Sequence, residues 1–232
     1  MYKRQVLAGV IDMTTPRVLD QVARVTAAGA DAVVATAPFY AATHPAEIAR
    51  HFRLIAAGSP VPVIAYDIPA AVHTKLPADL VLQLAAEGVL AGLKDSSGDL
   101  AAFREIVTGA RAHPDISDFS VLTGSELFVD AALALGADGA VPGLANVDPH
   151  GYVRLDRHRA RAEQERLCAL FGMVRAGDPA RMGGSSSALG AFKAALHLRG
   201  VIDCPATAHP QVPLSEDEVG RVGKFLAAAG LL

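Results

Sequence analysis

The chain is poor in cysteine and in aromatic residues. It has no tryptophan and only two cysteines, Cys168 and Cys204, which form no CxxC pair. Small secreted domains that depend on disulfides use many more cysteines, so no disulfide framework is expected. No secretory leader precedes the first predicted strand. We therefore expect a protein of the reducing cytoplasm.

Long hydrophobic runs and an excess of one charge are missing as well. Charged residues or prolines interrupt the apolar runs well before the roughly 20 residues that a membrane-spanning helix needs. The chain carries 21 basic and 24 acidic side chains, so it has no electrostatic footprint for a phosphate backbone. The arginine-rich run at residues 154–161 is followed by Glu163 and Glu165, a pattern typical of a solvated helix face. Neither a membrane nor a nucleic acid is a predicted partner.

Metal and cofactor motifs are also missing. The eight histidines are scattered, with no HExxH motif and no cluster of His, Cys and carboxylate residues at ligand spacing. No GxGxxG motif follows the first predicted strand, which argues against a dinucleotide-binding Rossmann unit. We predict neither a metal nor a cofactor.

Short β-branched segments alternate with amphipathic segments over most of the chain. The first helix is well delimited, because Thr14 or Thr15 can act as N-cap, Pro16 lies in the first turn and Gly29 ends it. Strands that alternate with such helices predict right-handed βαβ units and a parallel sheet. The predicted strands are Val6–Val10, Ala32–Thr36, Val61–Tyr66, Val89–Lys94, Phe119–Thr123 and Gly139–Pro142.

Two of these strands begin with nearly the same sequence, GADAVV at Gly29–Val34 and GADGAV at Gly136–Val141. Similar βα units that repeat around a closed ring favour a (β/α)8 TIM barrel over an open sheet. Such a barrel needs eight strands in about 250 residues, and the sequence shows six. We therefore expect a barrel without its first two strands, in a chain truncated at its N-terminus.

Two regions are expected. Residues 1–146 would hold barrel strands three to eight, and residues 147–232 would hold the last barrel helix and a C-terminal helical region. The run Gly183–Ser187 is predicted to be a flexible connection between two of its helices. The predicted helices are Ala162–Val174, Ala188–Arg199 and Glu216–Ala229.

Lys94 is the leading candidate for a catalytic residue. Active sites of TIM barrels lie at the C-terminal ends of the strands, and Lys94 ends a strand after an apolar run. Desolvation there favours the neutral amine, which can attack a ketone and form an iminium that stabilises a neighbouring carbanion. In the alternative interpretation, Lys94 extends into water or pairs with Asp95.

Residues at neighbouring strand ends are further candidates. Tyr66 ends the preceding strand, about 4.8 Å away across the sheet, and its phenol can transfer protons unless the ring only packs in the core. Tyr40 is a second phenol candidate, although an aromatic pair in a loop is equally typical of a subunit interface. At Gly124 and in the turn after Val141, the backbone can approach a small substrate closely. We prefer this role for the two positions to a phosphate site.

Four segments of the chain form an ordered set of motifs: Ala37–Tyr40 (APFY), Tyr66–Pro69 (YDIP), Gly92–Gly98 (GLKDSSG) and Gly136–Gly143 (GADGAVPG). They resemble the successive motifs of the dihydrodipicolinate synthase/N-acetylneuraminate lyase family of class I pyruvate aldolases. The resemblance covers nearly the whole chain, and it implies that Lys94 forms a Schiff base and that Tyr66 is the proton shuttle. It also implies that Tyr40 completes a proton relay across a dimer interface, that the backbone near Val141 lies beside the bound oxo acid, and that the C-terminal helices assemble a tetramer.

Two departures from the family pattern bear on activity. The family's GTTGE loop, which holds the carboxylate of the oxo acid, belongs to a strand that we expect to be missing. The lysine-biosynthetic synthases have an arginine at the position of Ala71, where it holds the carboxylate of the aldehyde substrate. Losing that bidentate contact should cost about 2 kcal/mol or more of binding.

The sequence therefore predicts a Schiff-base-forming lyase of the aldolase or dehydratase type that acts on pyruvate or a sugar-derived 2-oxo acid. We expect a homo-oligomer, a dimer or tetramer by family resemblance. One alternative is a 4-hydroxy-tetrahydrodipicolinate synthase. Another is an inactive, truncated barrel that binds a 2-oxo acid or a partner without turnover.

Overall fold

The computed structural model describes residues 5–158 and 161–232. They fall into two compact units, of which the first comprises residues up to Ser125 and Ala132–Val141, and the second comprises Glu126–Ala131 and Pro142–Leu232. The predicted division between residues 146 and 147 stays a prediction. Residues 159 and 160 of the arginine-rich run lie outside the described residues.

A parallel six-stranded sheet lies in the first unit. Its strands follow one another in chain order, so β1 and β6 are its two edges within the described part of the chain. The prediction of an α/β fold with a parallel sheet is confirmed, and each predicted strand is present with shorter or slightly shifted bounds. The strands are β1 Leu7–Gly9, β2 Ala32–Ala35, β3 Val63–Asp67, β4 Gly92–Asp95, β5 Ser120–Thr123 and β6 Gly139–Ala140.

The helices between the strands begin and end at residues that favour those positions. Thr14 is the N-cap of the first helix and Pro16 lies at its start, but the Thr14 side chain makes no capping hydrogen bond. Gly29 follows the helix with a φ of +92°, a conformation that glycine adopts without a Cβ penalty. The helices up to β6 are α1 Thr15–Ala27, α2 Pro45–Gly58, α3 Pro69–Val72, α4 Ala78–Ala86, α5 Leu100–Ala112 and α6 Val129–Ala134.

The strands alternate between a fully buried face and a partly exposed one. Val33, Ala65, Leu93 and Val121 are 0% exposed and belong to the core of the first unit. The residues that follow Ala65 and Leu93, namely Tyr66 and Lys94, point to the opposite face and are only half-buried. Because side chains alternate with period two along a strand, Lys94 and Tyr66 share the accessible face. Apolar helix residues that complete the core include Val18, Val22, Ile48, Phe52, Ile55, Leu84, Phe103 and Ile106.

The second unit is helical in its described residues. The three predicted helices are present at Arg161–Phe171, Gly184–Leu198 and Glu216–Ala228. A short 3-10 turn at Gly172–Arg175 ends the first of them earlier than predicted. The helices of this region are α7 Pro149–His158, α8 Arg161–Phe171, α9 Gly184–Leu198 and α10 Glu216–Ala228.

The prediction of a flexible connection at Gly183–Ser187 is wrong. Gly183 is the N-cap of α9, and the helix begins at Gly184. The Ser187 hydroxyl donates to the Val174 carbonyl at 2.6 Å and accepts from the Gly177 N–H at 2.9 Å. Ser187 is only 5% exposed, so these buried hydrogen bonds fix a run whose composition alone is typical of a linker.

Candidate active site

Lys94 and Tyr66 lie side by side near the C-terminal ends of β4 and β3. The parallel register pairs the two residues, and the Lys94 Nζ lies 4.1 Å from the centroid of the Tyr66 ring. An ammonium on the face of a tyrosine ring is attracted by the quadrupole of the ring. The register and this contact together hold the amine beside the phenol.

Gly124 makes room for Lys94. A Cβ at this position would lie 2.0 Å from the Ser96 Oγ and 3.0 Å from the Lys94 Cε. Any residue other than glycine would therefore displace the lysine chain or Ser96. The sequence assigned no role to Ser96, because its proximity to Gly124 depends on the register of β4 and β5.

Backbone hydrogen bonds continue the sheet ladder beyond the strand ends. They place Gly124 and Val141 at the same edge of the sheet as Lys94, as the sequence predicts for strand-end residues. The bonds run from the Ser96 N–H to the Asp67 carbonyl (2.8 Å), from the Gly124 N–H to the Asp95 carbonyl (2.7 Å) and from the Val141 N–H to the Thr123 carbonyl (2.7 Å).

Two buried aspartates directly follow the candidate pair. Asp67 and Asp95 are in register with each other and are 1% and 2% exposed. The Lys75 ammonium donates a short hydrogen bond to Asp67 and lies 3.6 Å from Asp95. Burial raises the pKa of Asp67, because the loss of hydration outweighs the hydrogen bonds from Lys75 and from the Leu76 N–H.

Lys75 was missed by the sequence reasoning. It follows β3 by eight residues and reaches back after a turn in which His73 has a φ of 56°. Histidine is among the residues that adopt this left-handed conformation more readily than most. No sequence pattern marks a residue at this distance as the partner of Asp67.

The other predicted residues lie around the pair rather than in contact with it. Tyr40 lies in the loop after β2 and is 84% exposed. Ala71 is exposed in the short helix α3, directly after β3. The Val141 side chain is 45% exposed after β6. The structure thus brings together Lys94, Tyr66 and Gly124, and it leaves Tyr40 outside that group.

This arrangement places a primary amine next to a phenol, a group that can donate and accept protons. An amine in contact with a phenol is suited to attack on a carbonyl followed by proton transfer. Among residues 5–158 and 161–232, no three His, Cys, Asp or Glu side chains are grouped as a metal site would require. Within the same residues, no helix has the length and hydrophobicity to cross a membrane.

A family model described as the dihydrodipicolinate synthetase family matches residues 3–229 of the chain. The chain belongs to this family. An uncharacterized DapA-like lyase of Halobacterium salinarum is 32% identical over 98% of this chain and 72% of that protein. A 4-hydroxy-tetrahydrodipicolinate synthase of Archaeoglobus fulgidus is 29% identical over 74% of this chain and 60% of that protein. The relatives are lyases of the class I aldolase type. This chain, as a member of the dihydrodipicolinate synthetase family, is a homologue of these lyases.

Solved structures of the family have the same fold. YagE, a prophage protein from E. coli K12 solved in complex with pyruvate, superposes with a TM-score of 0.87 at 25% identity and covers 98% of this chain and 76% of its own. Dihydrodipicolinate synthase from Bacteroides thetaiotaomicron gives a TM-score of 0.86 at 27% identity, covering 96% of this chain and 74% of its own. This chain therefore spans about three quarters of the length of these solved structures.

Proposed function

We propose that this protein is a Schiff-base-forming lyase in which Lys94 is the nucleophile and Tyr66 the proton carrier. The observation that carries this proposal is the position of the Lys94 Nζ, 4.1 Å from the centroid of the Tyr66 ring at the C-terminal edge of the sheet. Membership of a lyase family supports it. The pyruvate in the YagE structure belongs to that protein, and it suggests the substrate class to test here.

The proposed reaction uses few groups. The Lys94 nitrogen adds to C2 of a 2-oxo acid, the carbonyl oxygen takes up two protons and leaves as water, and a C=N iminium remains. Tyr66 donates and accepts protons in these steps and in the cleavage step. In the aldolase reaction the C3–C4 bond breaks, the iminium accepts its electron pair and becomes an enamine, and the other fragment leaves as an aldehyde after its hydroxyl gives up a proton. In the dehydratase reaction the iminium accepts the electron pair of the C3–H bond, and the enamine then expels the protonated C4 hydroxyl as water.

The backbone at Gly124 and Val141 is the proposed wall against which the oxo acid lies. Gly124 has no side chain to fill the space beside the Lys94 Cε, and Val141 is held at the same sheet edge by its hydrogen bond to the Thr123 carbonyl. A small substrate can approach backbone closely where a side chain is absent. Tyr40, with its exposed ring, is proposed as a relay residue or as an interface residue of a homodimer or tetramer.

Ala71 favours sugar-derived 2-oxo acids as substrates. It lies exposed in α3, and a methyl group offers no donor to the carboxylate of a second substrate. The second candidate activity is that of a 4-hydroxy-tetrahydrodipicolinate synthase, which is favoured by the name of the Archaeoglobus fulgidus relative. A chain that binds a 2-oxo acid without turnover is the third.

We further propose that β1–β6 correspond to strands three to eight of an eight-stranded barrel. The edge strand β1 supports this, because its first residue Leu7 is 42% exposed and the preceding Val6 is 56% exposed, and exposed apolar edges favour pairing with another strand. The cytoplasmic location and the homo-oligomeric state stay predictions.

Borohydride trapping tests the Schiff base. Pyruvate and borohydride should convert Lys94 to a secondary amine, which trypsin does not cleave, so that residues 76–104 are recovered as one modified peptide. The Lys94→Met variant should remain unmodified, whereas the Lys224→Met variant on the exposed face of α10 should be trapped normally. Unmodified wild-type protein would contradict the proposed function.

A comparison of two reactions then tests the substrate class. Cleavage of 2-keto-3-deoxy sugar acids should be faster than condensation of pyruvate with aspartate semialdehyde. Efficient condensation would overturn the argument from Ala71 and favour the synthase.

A further inference from the structure

The buried aspartates behind the candidate pair require a compensating charge. Asp67 directly follows Tyr66 and Asp95 directly follows Lys94, and the register sets the two aspartates opposite each other. Paired strands lie about 4.8 Å apart, and two carboxylates at such a distance in a buried site repel each other. Unopposed, this repulsion would act on the strand ends that carry Tyr66 and Lys94.

Lys75 provides the compensating charge. Its ammonium donates to the Asp67 Oδ2 and lies 3.6 Å from the Asp95 Oδ2, an oxygen without a hydrogen-bond partner in the described part of the chain. The second oxygen of each carboxylate is bound by its own strand-end loop, through the Leu76 N–H at 3.1 Å and through the Ser97 N–H at 2.8 Å. Lys75 is therefore the cation placed between the two carboxylates.

We propose that Lys75 is a positioning residue that sets the spacing of Tyr66 and Lys94 by binding the carboxylates that follow them. Its contacts lie on the face of the strands opposite to that of the Lys94 side chain, so it acts without touching the substrate. This inference rests on the proposed function of Lys94. A displacement of about 1 Å between reacting groups can slow a reaction by up to about a hundredfold, so the spacing of the strand ends affects the rate.

The experiment measures the rate constant of borohydride trapping as a function of pyruvate concentration. Lys75→Met should lower the rate constant at saturating pyruvate by about tenfold to a hundredfold, with little change in the half-saturating concentration. Lys75→Arg keeps the charge and should remain close to wild type. In the Lys75→Met/Asp67→Asn variant only one buried carboxylate remains, so its rate constant should lie between those of Lys75→Met and wild type.

The controls separate this inference from the proposed function and from a loss of folding. Absence of trapping in the wild-type protein would overturn the proposed function, whereas trapping of Lys75→Met at the wild-type rate would overturn the role of Lys75 alone. Lys224→Met makes the same change in net charge and should trap at the wild-type rate. If circular dichroism shows Lys75→Met to be unfolded, the double variant decides, because wild-type trapping there would mean that Lys75 only stabilises the fold.

Discussion

At the scale of single residues, the candidate site results from the alternation of successive side chains between the two faces of a strand. Tyr66 and Lys94 occupy the accessible face of β3 and β4, and the next residues, Asp67 and Asp95, occupy the buried face. The same two strand ends thus carry the candidate catalytic groups on one side and two buried carboxylates on the other. Substitutions on the two faces should therefore have different effects.

Tyr66→Phe should separate trapping from turnover. Without the phenol, the steps that move protons should slow by about a hundredfold or more, while the Lys94 amine remains in place on the aromatic ring. We expect the Schiff base with pyruvate to be trapped still, although more slowly, and lyase turnover to be largely lost. Steady-state kinetics and mass spectrometry measure the two quantities, and unchanged turnover would show that another group carries the proton.

The sequence was informative about residues at strand ends and uninformative about residues that reach them from loops. The proximity of Lys94 and Tyr66 could be predicted because strand ends of parallel sheets meet at one edge. Lys75 could not, because its approach to Asp67 depends on the left-handed His73 and on a path of eight residues. Ser96 could not, because its contact with Gly124 depends on a strand register that no local pattern specifies.

At the scale of secondary-structure elements, the start of α9 shows where composition misleads. Glycine and serine are typical of flexible connections, yet Ser186 and Ser187 are 9% and 5% exposed. Their hydroxyls bond to backbone groups of residues that precede and follow the helix. The strands, in contrast, were predictable from their β-branched residues, since burial on one face repeats with period two.

Ser187→Ala should therefore destabilise the second unit although it improves helix propensity. It removes a buried hydroxyl and leaves the Gly177 N–H and the Val174 carbonyl without that partner, at a cost of about 2 kcal/mol. Urea unfolding measures the change. Ser185→Ala, on the exposed side of the same turn, is the control and should stay within about 0.5 kcal/mol of wild type. If Ser187→Ala has an equally small effect, the hydroxyl of Ser187 does not stabilise the second unit.

The helices of the second unit are also joined by a charge network centred on Arg166. It donates to Asp148, to Glu163 and to the Ala229 carbonyl. Burial opposes the ionisation of Asp148, but the hydrogen bonds from Arg166 and from the Gly151 N–H outweigh it and hold its pKa below the usual range. The pKa of Glu163 is lowered in the same way. These carboxylates therefore stabilise the fold above their unfolded-state pKa values of about 4, and the stabilisation is lost as the pH falls through the lower folded values.

Arg166→Met should destabilise the protein by about 3 kcal/mol at pH 7, because it leaves Asp148 buried with a weaker partner. The difference from wild type should shrink as the pH falls from 4 toward 2, since the wild type then loses the same contribution. Urea unfolding across this range measures it. Arg161→Met breaks an ion pair whose side chains are 88% and 63% exposed and should have little effect. A gap that is constant with pH would contradict the assignment to the carboxylates.

At the scale of the whole molecule, the proposed barrel depends on what the two edge strands can pair with. Leu7 is in register with Ala32, on the strand face that also carries Tyr66 and Lys94. A closed barrel would turn this face inward and fill it with side chains, but Leu7 is 42% exposed in the chain as described. Monomeric proteins rarely expose apolar residues on an edge strand of a parallel sheet. The family match covers residues 3–229, so the proposal can be tested with segments from a relative.

A chimera that carries two N-terminal βα units of the Halobacterium salinarum relative should close the sheet if β1–β6 are strands three to eight. The substitution Leu7→Lys provides the test. In the 232-residue chain it should change stability by less than about 0.5 kcal/mol, because the side chain can remain in water. In the chimera it would place a charge inside the barrel and should cost more than about 2 kcal/mol. Thermal and urea unfolding of the four proteins give both values. Equal effects of Leu7→Lys in the two backgrounds would contradict the eight-stranded assignment, because Leu7 would then remain at an open edge even when two further strands are supplied.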